Sequence, residues 1–161
     1  MEKSFLRDIN EHQGIILKVC STYCNNRDDS EDLFQEIVLQ LWNSYSGFKG
    51  EAKVSTWMYR VALNTAITRL RITKRRPDNQ RLDNDNFNTA EVANNRLDIQ
   101  FIAELQQAIN MLNRFDRALM MLYLDEKSYS EIAEIIGISE SNVGVKINRI
   151  KNRLKSTLNP S

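Results

Sequence analysis

Apolar residues recur at helical spacing along most of the chain and nowhere alternate as a half-buried strand would. The clearest stripe is Leu33, Phe34, Ile37, Val38, Leu41, Trp42 and Tyr45, whose alternating steps of one and three trace one helix face. Before it, Phe5, Ile9, Ile16, Cys20 and Tyr23 predict one helix from about Lys3 to Cys24. NNRDDSEDLF then predicts a turn, with Asp28, Asp29 and Ser30 as the cap cluster. Two glycines in SGFKGEAK break the pattern, and a third helix is expected from about Ser55 to Arg76, stopped by Pro77. Residues 77–90, PDNQRLDNDNFNTA, hold four Asn and three Asp with few apolar positions, the composition of a linker. Helical spacing returns with Leu97, Phe101, Leu105, Ile109 and Leu112, then Ala118, Leu122 and Tyr123. The expected fold is all-α: two small helical domains, 1–76 and 97–161, joined by a flexible linker over 77–96.

The stretch SYSEIAEIIGISESNVGVKINRIKNRLK, from Ser128 to Lys155, is more specific. Ser130 is expected to cap a short helix that turns Ile132, Ala133 and Ile136 inward. Gly137 suits the left-handed residue at its end, Ile138 fills the corner, and Ser139 caps the next helix. There Val143, Ile147, Ile150 and Leu154 form a buried stripe, leaving Ser141, Asn142, Val145, Lys146 and Arg149 outside. This is the pattern of a helix-turn-helix, whose second helix reads base edges in the major groove. Gly144 is unusual inside that helix: its backbone lies close to DNA or to a neighbouring element, or its cost is simply tolerated.

Composition changes the picture mainly through charge. The formal net charge is only +1, a small value for a nucleic-acid binder, but its distribution is uneven. Residues 1–56 carry six cations and nine anions, and residues 57–77 carry six cations and no anion. Residues 78–126 carry four and nine, and residues 127–161 six and three. Two basic blocks suited to phosphate thus alternate with two acidic ones that avoid it. No apolar run approaches a membrane span, and MEKSFLRDINEHQG lacks a signal-peptide core, so a cytoplasmic location is expected. Cys20 and Cys24, with His12 as the single histidine, are too few for a zinc site; reduced, at least half-buried thiols and no metal or other cofactor are expected.

On the third helix Trp57, Arg60, Asn64, Thr68 and Arg71 recur at steps of three and four. An aromatic, an amide and cations on one surface suit single-stranded DNA, stacking for bases and charge for phosphates. Trp57 fits core packing equally well. On the helix before it, Asp32, Gln35, Glu36 and Leu39 lie off the apolar stripe, as an acidic surface for a basic partner.

DDSEDLFQEIVLQLW followed by YSGFKGEAKVSTWMYRVALNTAITRLR resembles the second conserved region of bacterial RNA polymerase sigma factors. The helix-turn-helix resembles their fourth region, and a short linker in place of the third matches the extracytoplasmic-function group. The resemblance implies a sigma factor that binds core RNA polymerase and directs initiation at promoter DNA, including melting of the minus-ten element. It implies that Asp32, Gln35, Glu36 and Leu39 dock on the polymerase. Phe48, Lys49, Trp57, Tyr59, Arg60, Asn64 and Arg71 would engage the minus-ten element and capture an extruded base. Ser141, Asn142, Val145, Lys146 and Arg149 would read the minus-thirty-five element. It also implies an anti-sigma factor, membrane-associated in many members, with no small-molecule substrate and no membrane insertion of the chain itself. Leu112-Asn113-Arg114-Phe115 replaces the family's frequent Leu-Pro, and Gly144-Val145 its frequent cation and serine, so the promoter sequence is not transferable.

Two other classes compete. A polymerase-independent helix-turn-helix regulator would bind its own operator tightly, as a dimer on a palindrome. A recombinase or nuclease would need a nucleophile or a carboxylate metal cluster, whereas Asp28, Asp29, Glu31 and Asp32 read as a helix start without a supporting constellation; the chain is expected not to be an enzyme.

Overall fold

The structure is a computed structural model that describes residues 2–48, 50, 52–73 and 96–158. The chain divides into two compact units, Met1–Phe87 and Asn88–Ser161. The described residues form helices and no strand. The expected linker lies outside them, apart from Arg96, the first residue of its following helix.

The first unit holds α1 (Glu2–Glu11), α2 (Gln13–Tyr23), α3 (Arg27–Tyr45) and α4 (Val54–Thr73). The single helix expected from Lys3 to Cys24 is therefore two. His12, at φ −117° and ψ 23°, leaves the helical region, and the Ile15 amide closes a tight turn by donating to the His12 carbonyl at 3.0 Å. Gly14 is the weak helix former that makes a break here inexpensive. Across the break α1 turns Phe5 against Trp42 and Tyr45, with ring centroids 5.0 and 5.2 Å apart. Tyr45 donates its hydroxyl to the buried Asp8 carboxylate at 3.0 Å.

Asn26, rather than the Asp28–Ser30 cluster, caps α3: its side-chain oxygen accepts from the Asp29 amide at 2.8 Å. Asp28 and Asp29 sit in the first turn, where carboxylates oppose the positive end of the helix dipole. Leu33, Ile37 and Leu41 are buried as the stripe requires. α2 and α3 pack on each other and on α4, which buries Met58, Tyr59, Ala62, Leu63 and Ala66. The two alanines keep that face of α4 shallow enough for close helix packing.

Cys20 is buried and Cys24 half-buried, and both are free thiols. Burial pushes the Cys20 thiol up to about 11, and burial with the neighbouring Cys20 pushes Cys24 up to about 12. Since the thiolate is the reactive form, iodoacetamide at neutral pH should alkylate the native chain roughly tenfold or more slower than the urea-unfolded chain. Equal rates would mean that neither thiol is shielded.

The second unit is built around α8 (Glu140–Leu158), on which α5 (Arg96–Asn110), α6 (Arg114–Leu124) and α7 (Tyr129–Ile136) pack. Val143, Ile147, Ile150 and Leu154 are its buried stripe, as expected. Asn113 caps α6 by accepting from the Asp116 amide at 2.8 Å. Arg117 donates to the Asn110 and Leu112 carbonyls at 2.8 and 3.2 Å, tying down the end of α5. Ser128, not Ser130, caps α7; its hydroxyl oxygen accepts from the Glu131 amide at 3.2 Å. Ile132 and Ile135 are buried against the neighbouring helices, while Ala133 and Ile136 are only partly covered. Gly137 ends α7 at φ +88°, a conformation that strains any residue with a Cβ. Ser139 accepts from the Asn142 amide at 3.2 Å and so caps α8. The two helices and their turn have the expected organisation of a helix-turn-helix.

Candidate nucleic-acid and polymerase interfaces

In the first unit the bend after α3 and the start of α4 enclose a cleft of about 530 Å³. Asn43, Ser44, Ser46, Gly47, Phe48, Ala52, Trp57 and Arg60 line it. Phe48 stacks on Trp57, with centroids 4.8 Å apart and planes 27° from parallel. Trp57 also meets Tyr45 at 5.9 Å and 55°. Trp57 therefore packs on Tyr45 and also lines the cleft. The cleft combines aromatic surface, an amide, two serine hydroxyls and a guanidinium, and its volume suits a planar heteroaromatic group with an attached anion.

Arg60, Asn64 and Thr68 are exposed along successive turns of α4, continuing outward from the cleft. Arg71 lies in the last turn of α4, where only the backbone is described, and Lys49 lies outside the described residues. Tyr59 departs from expectation. It is 2% exposed and belongs to the core beneath this surface, because its helix position aligns with Leu63 and Ala66 rather than with Arg60. Asn43, Ser44 and Ser46 were not among the expected residues; the only signal was a polar run between Trp42 and the first glycine.

Asp32, Gln35, Glu36 and Leu39 are all exposed on α3, as expected, and Leu39 is 54% exposed. The face is not purely acidic. Arg69 reaches over from α4, 3.7 Å from the Asp32 carboxylate and 3.8 Å from that of Glu36. Pairs this long and this exposed contribute little stability, but they hold the two carboxylates on one side of α3. Arg69 continues the buried line of Ala62 and Ala66 one turn on, a cation facing an acidic stripe.

On α8, Ser141, Asn142, Val145 and Arg149 are exposed and Lys146 is half-covered, so these side chains lie off the buried stripe. Lys151 is turned away from it, with its ammonium 4.3 Å from the centre of the Tyr123 ring. Gly144 faces a neighbouring element: a Cβ built there would lie 3.5 Å from the Tyr129 ring, an ordinary contact. The protein's own packing thus has room for alanine. A helix-interior glycine costs about 1 kcal/mol against alanine, and nothing inside the unit requires it.

Comparison with known proteins places both units. Residues 9–76 match the family description Sigma-70 region 2, and residues 102–154 match Sigma-70, region 4. The chain is 25% identical to the ECF RNA polymerase sigma-E factor of Haemophilus influenzae, over 99% of this chain and 89% of that protein. It is 26% identical to the ECF RNA polymerase sigma factor SigW of Bacillus subtilis, over 98% and 90%. Its fold is shared with the sigma factor RpoE solved in complex with the anti-sigma factor NepR from Bartonella quintana. That likeness has a TM-score of 0.71, 22% identity and coverage of 97% of both chains.

Proposed function

The chain belongs to the extracytoplasmic-function group of the sigma-70 family, and from that premise we propose how its two units divide promoter recognition. As a sigma factor it binds core RNA polymerase and directs it to promoters. The exposed acidic face of α3, with Asp32, Gln35, Glu36 and Leu39, is the polymerase-docking surface. The cleft holds a base extruded from the minus-ten element against the wall formed by the stacked Phe48 and Trp57 rings, with Arg60 near its phosphate. Asn64, one turn further along α4, reads the edge of a neighbouring unpaired base. The outward face of α8 takes the minus-thirty-five element in the major groove.

The observation that carries the strand-opening role is the stacked Phe48–Trp57 pair at the wall of a polar-lined cleft. Extruding a base costs a few kcal/mol of unstacking, which a preformed aromatic site with hydrogen-bonding groups can offset. The polymerisation chemistry belongs to the polymerase, so this chain acts as a non-enzymatic specificity factor. No described helix is long and apolar enough to cross a membrane, and a factor that works on the polymerase acts in the cytoplasm. An anti-sigma factor that covers one or both units is the fitting regulator.

The docking assignment has its own test. Asp32→Lys with Glu36→Lys leaves the stripe of Leu33, Ile37 and Leu41 intact, so helicity and melting should change little. Close charge pairs across protein interfaces are worth about 1.5 kcal/mol or more each, so affinity for core polymerase should fall roughly tenfold or more. Titration of labelled variant against purified core reads the change. Unaltered affinity would leave this face as ordinary solvated surface.

A further inference from the structure

Val145 occupies an unusual place. It lies at the centre of the outward face of α8 and is 55% exposed. Ser141, Asn142 and Arg149 surround it, exposed and polar. A single apolar side chain in a polar setting is no protein-docking patch. In the major groove it has one complementary feature among the base edges, the C5 methyl of thymine, because every other group presented there is a hydrogen-bond donor or acceptor. Its neighbour Gly144 is turned toward the Tyr129 ring of α7, so Val145 is the apolar group on this face.

We propose that Val145 recognises the C5 methyl of a thymine in the minus-thirty-five element. This inference rests on the assignment of α8 to that element, and it names the chemistry read there. Arg149 and Asn142 then supply polar contacts on either side, and specificity at the central position comes from shape and methyl burial.

The test uses the full chain bound to core polymerase and a duplex pool randomised across both promoter elements. Sequences retained by the complex define the upstream window, and each thymine in it is replaced singly by deoxyuridine, which keeps pairing and removes only the methyl. Burial of one methyl predicts about fourfold weaker binding at one position. Val145→Ser should abolish that difference, whereas Val145→Thr, which keeps one methyl, should retain part of it. Tolerance of uracil throughout an enriched window would overturn the inference and leave the assignment of α8 standing. So would a Val145→Ser variant that still discriminates by the same factor. A pool with no enriched upstream window would instead defeat the assignment itself, and the inference with it.

Discussion

Trp57→Ala should leave recruitment of the polymerase nearly intact and abolish most promoter opening. Stacking of one base on an aromatic side chain is worth about 1–3 kcal/mol, a roughly fivefold to 150-fold change in the opening equilibrium. The substitution removes the cleft wall on which Phe48 stacks, so little residual aromatic surface is left in register. It also removes the Tyr45 contact, which would loosen the fold. Trp57→Leu separates the two effects, because leucine retains apolar bulk against Tyr45 but offers no π-face. Both variants should lose permanganate reactivity of minus-ten thymines on duplex promoter, and both should regain part of their activity on a promoter already mismatched there. The mismatch supplies the unstacking that the cleft no longer offsets. Full opening by the leucine variant would show that the cleft has no part in base capture.

Ile147→Ala should unfold much of the second unit while sparing the first. Ile147 is fully buried on α8, the helix on which α5, α6 and α7 all pack. Truncating such a side chain costs about 2–5 kcal/mol. A unit of this size has only about 3–9 kcal/mol in total, so the loss is a large share. Both tryptophans, Trp42 and Trp57, lie in the first unit, and their fluorescence therefore reports that unit alone. In urea the variant should show an early loss of far-ultraviolet circular dichroism with the tryptophan transition nearly unmoved. A joint shift of both signals would mean that the two units unfold as one.

Much of this arrangement could be read from residue spacing, and the failures have identifiable causes. The buried stripe of α8 and the turn at Gly137 followed directly from period and from the one residue type that tolerates positive φ there. The caps were less legible. Ser128 and Ser130 are chemically equivalent candidates, as are Asn26 and the aspartates after it, and only the backbone hydrogen bonds distinguish them. At α7 the neighbouring helices α6 and α8 bury Ile135 rather than Ile136. The break at His12 was hidden because the apolar period of α1 runs on nearly in phase into α2.

The candidate surfaces divide in the same way. Exposure of Asp32, Glu36, Arg60, Asn64 and Val145 follows from the polar side of regular helices. Tyr59 was misplaced because an amphipathic aromatic next to Trp57 and Arg60 fits a binding surface as well as a core. Asn43 and Ser44 reach the cleft from the last turn of α3 and Ser46 from the bend after it, where no period applies. Arg69 meets Asp32 and Glu36 only once α3 and α4 are packed together.

The central claim is that promoter specificity arises only in company with the polymerase, as the alternating acidic and basic blocks and the small net charge suggest. Its most direct test is fluorescence anisotropy of one promoter duplex with the purified full chain, across a salt series, with and without core polymerase. Alone, the chain should bind weakly, with little sequence preference and a steep salt dependence; added core should produce tight, sequence-specific binding that proceeds to an open complex. Tight, specific binding by the chain alone, unchanged by polymerase, would contradict the account and identify an independent helix-turn-helix regulator.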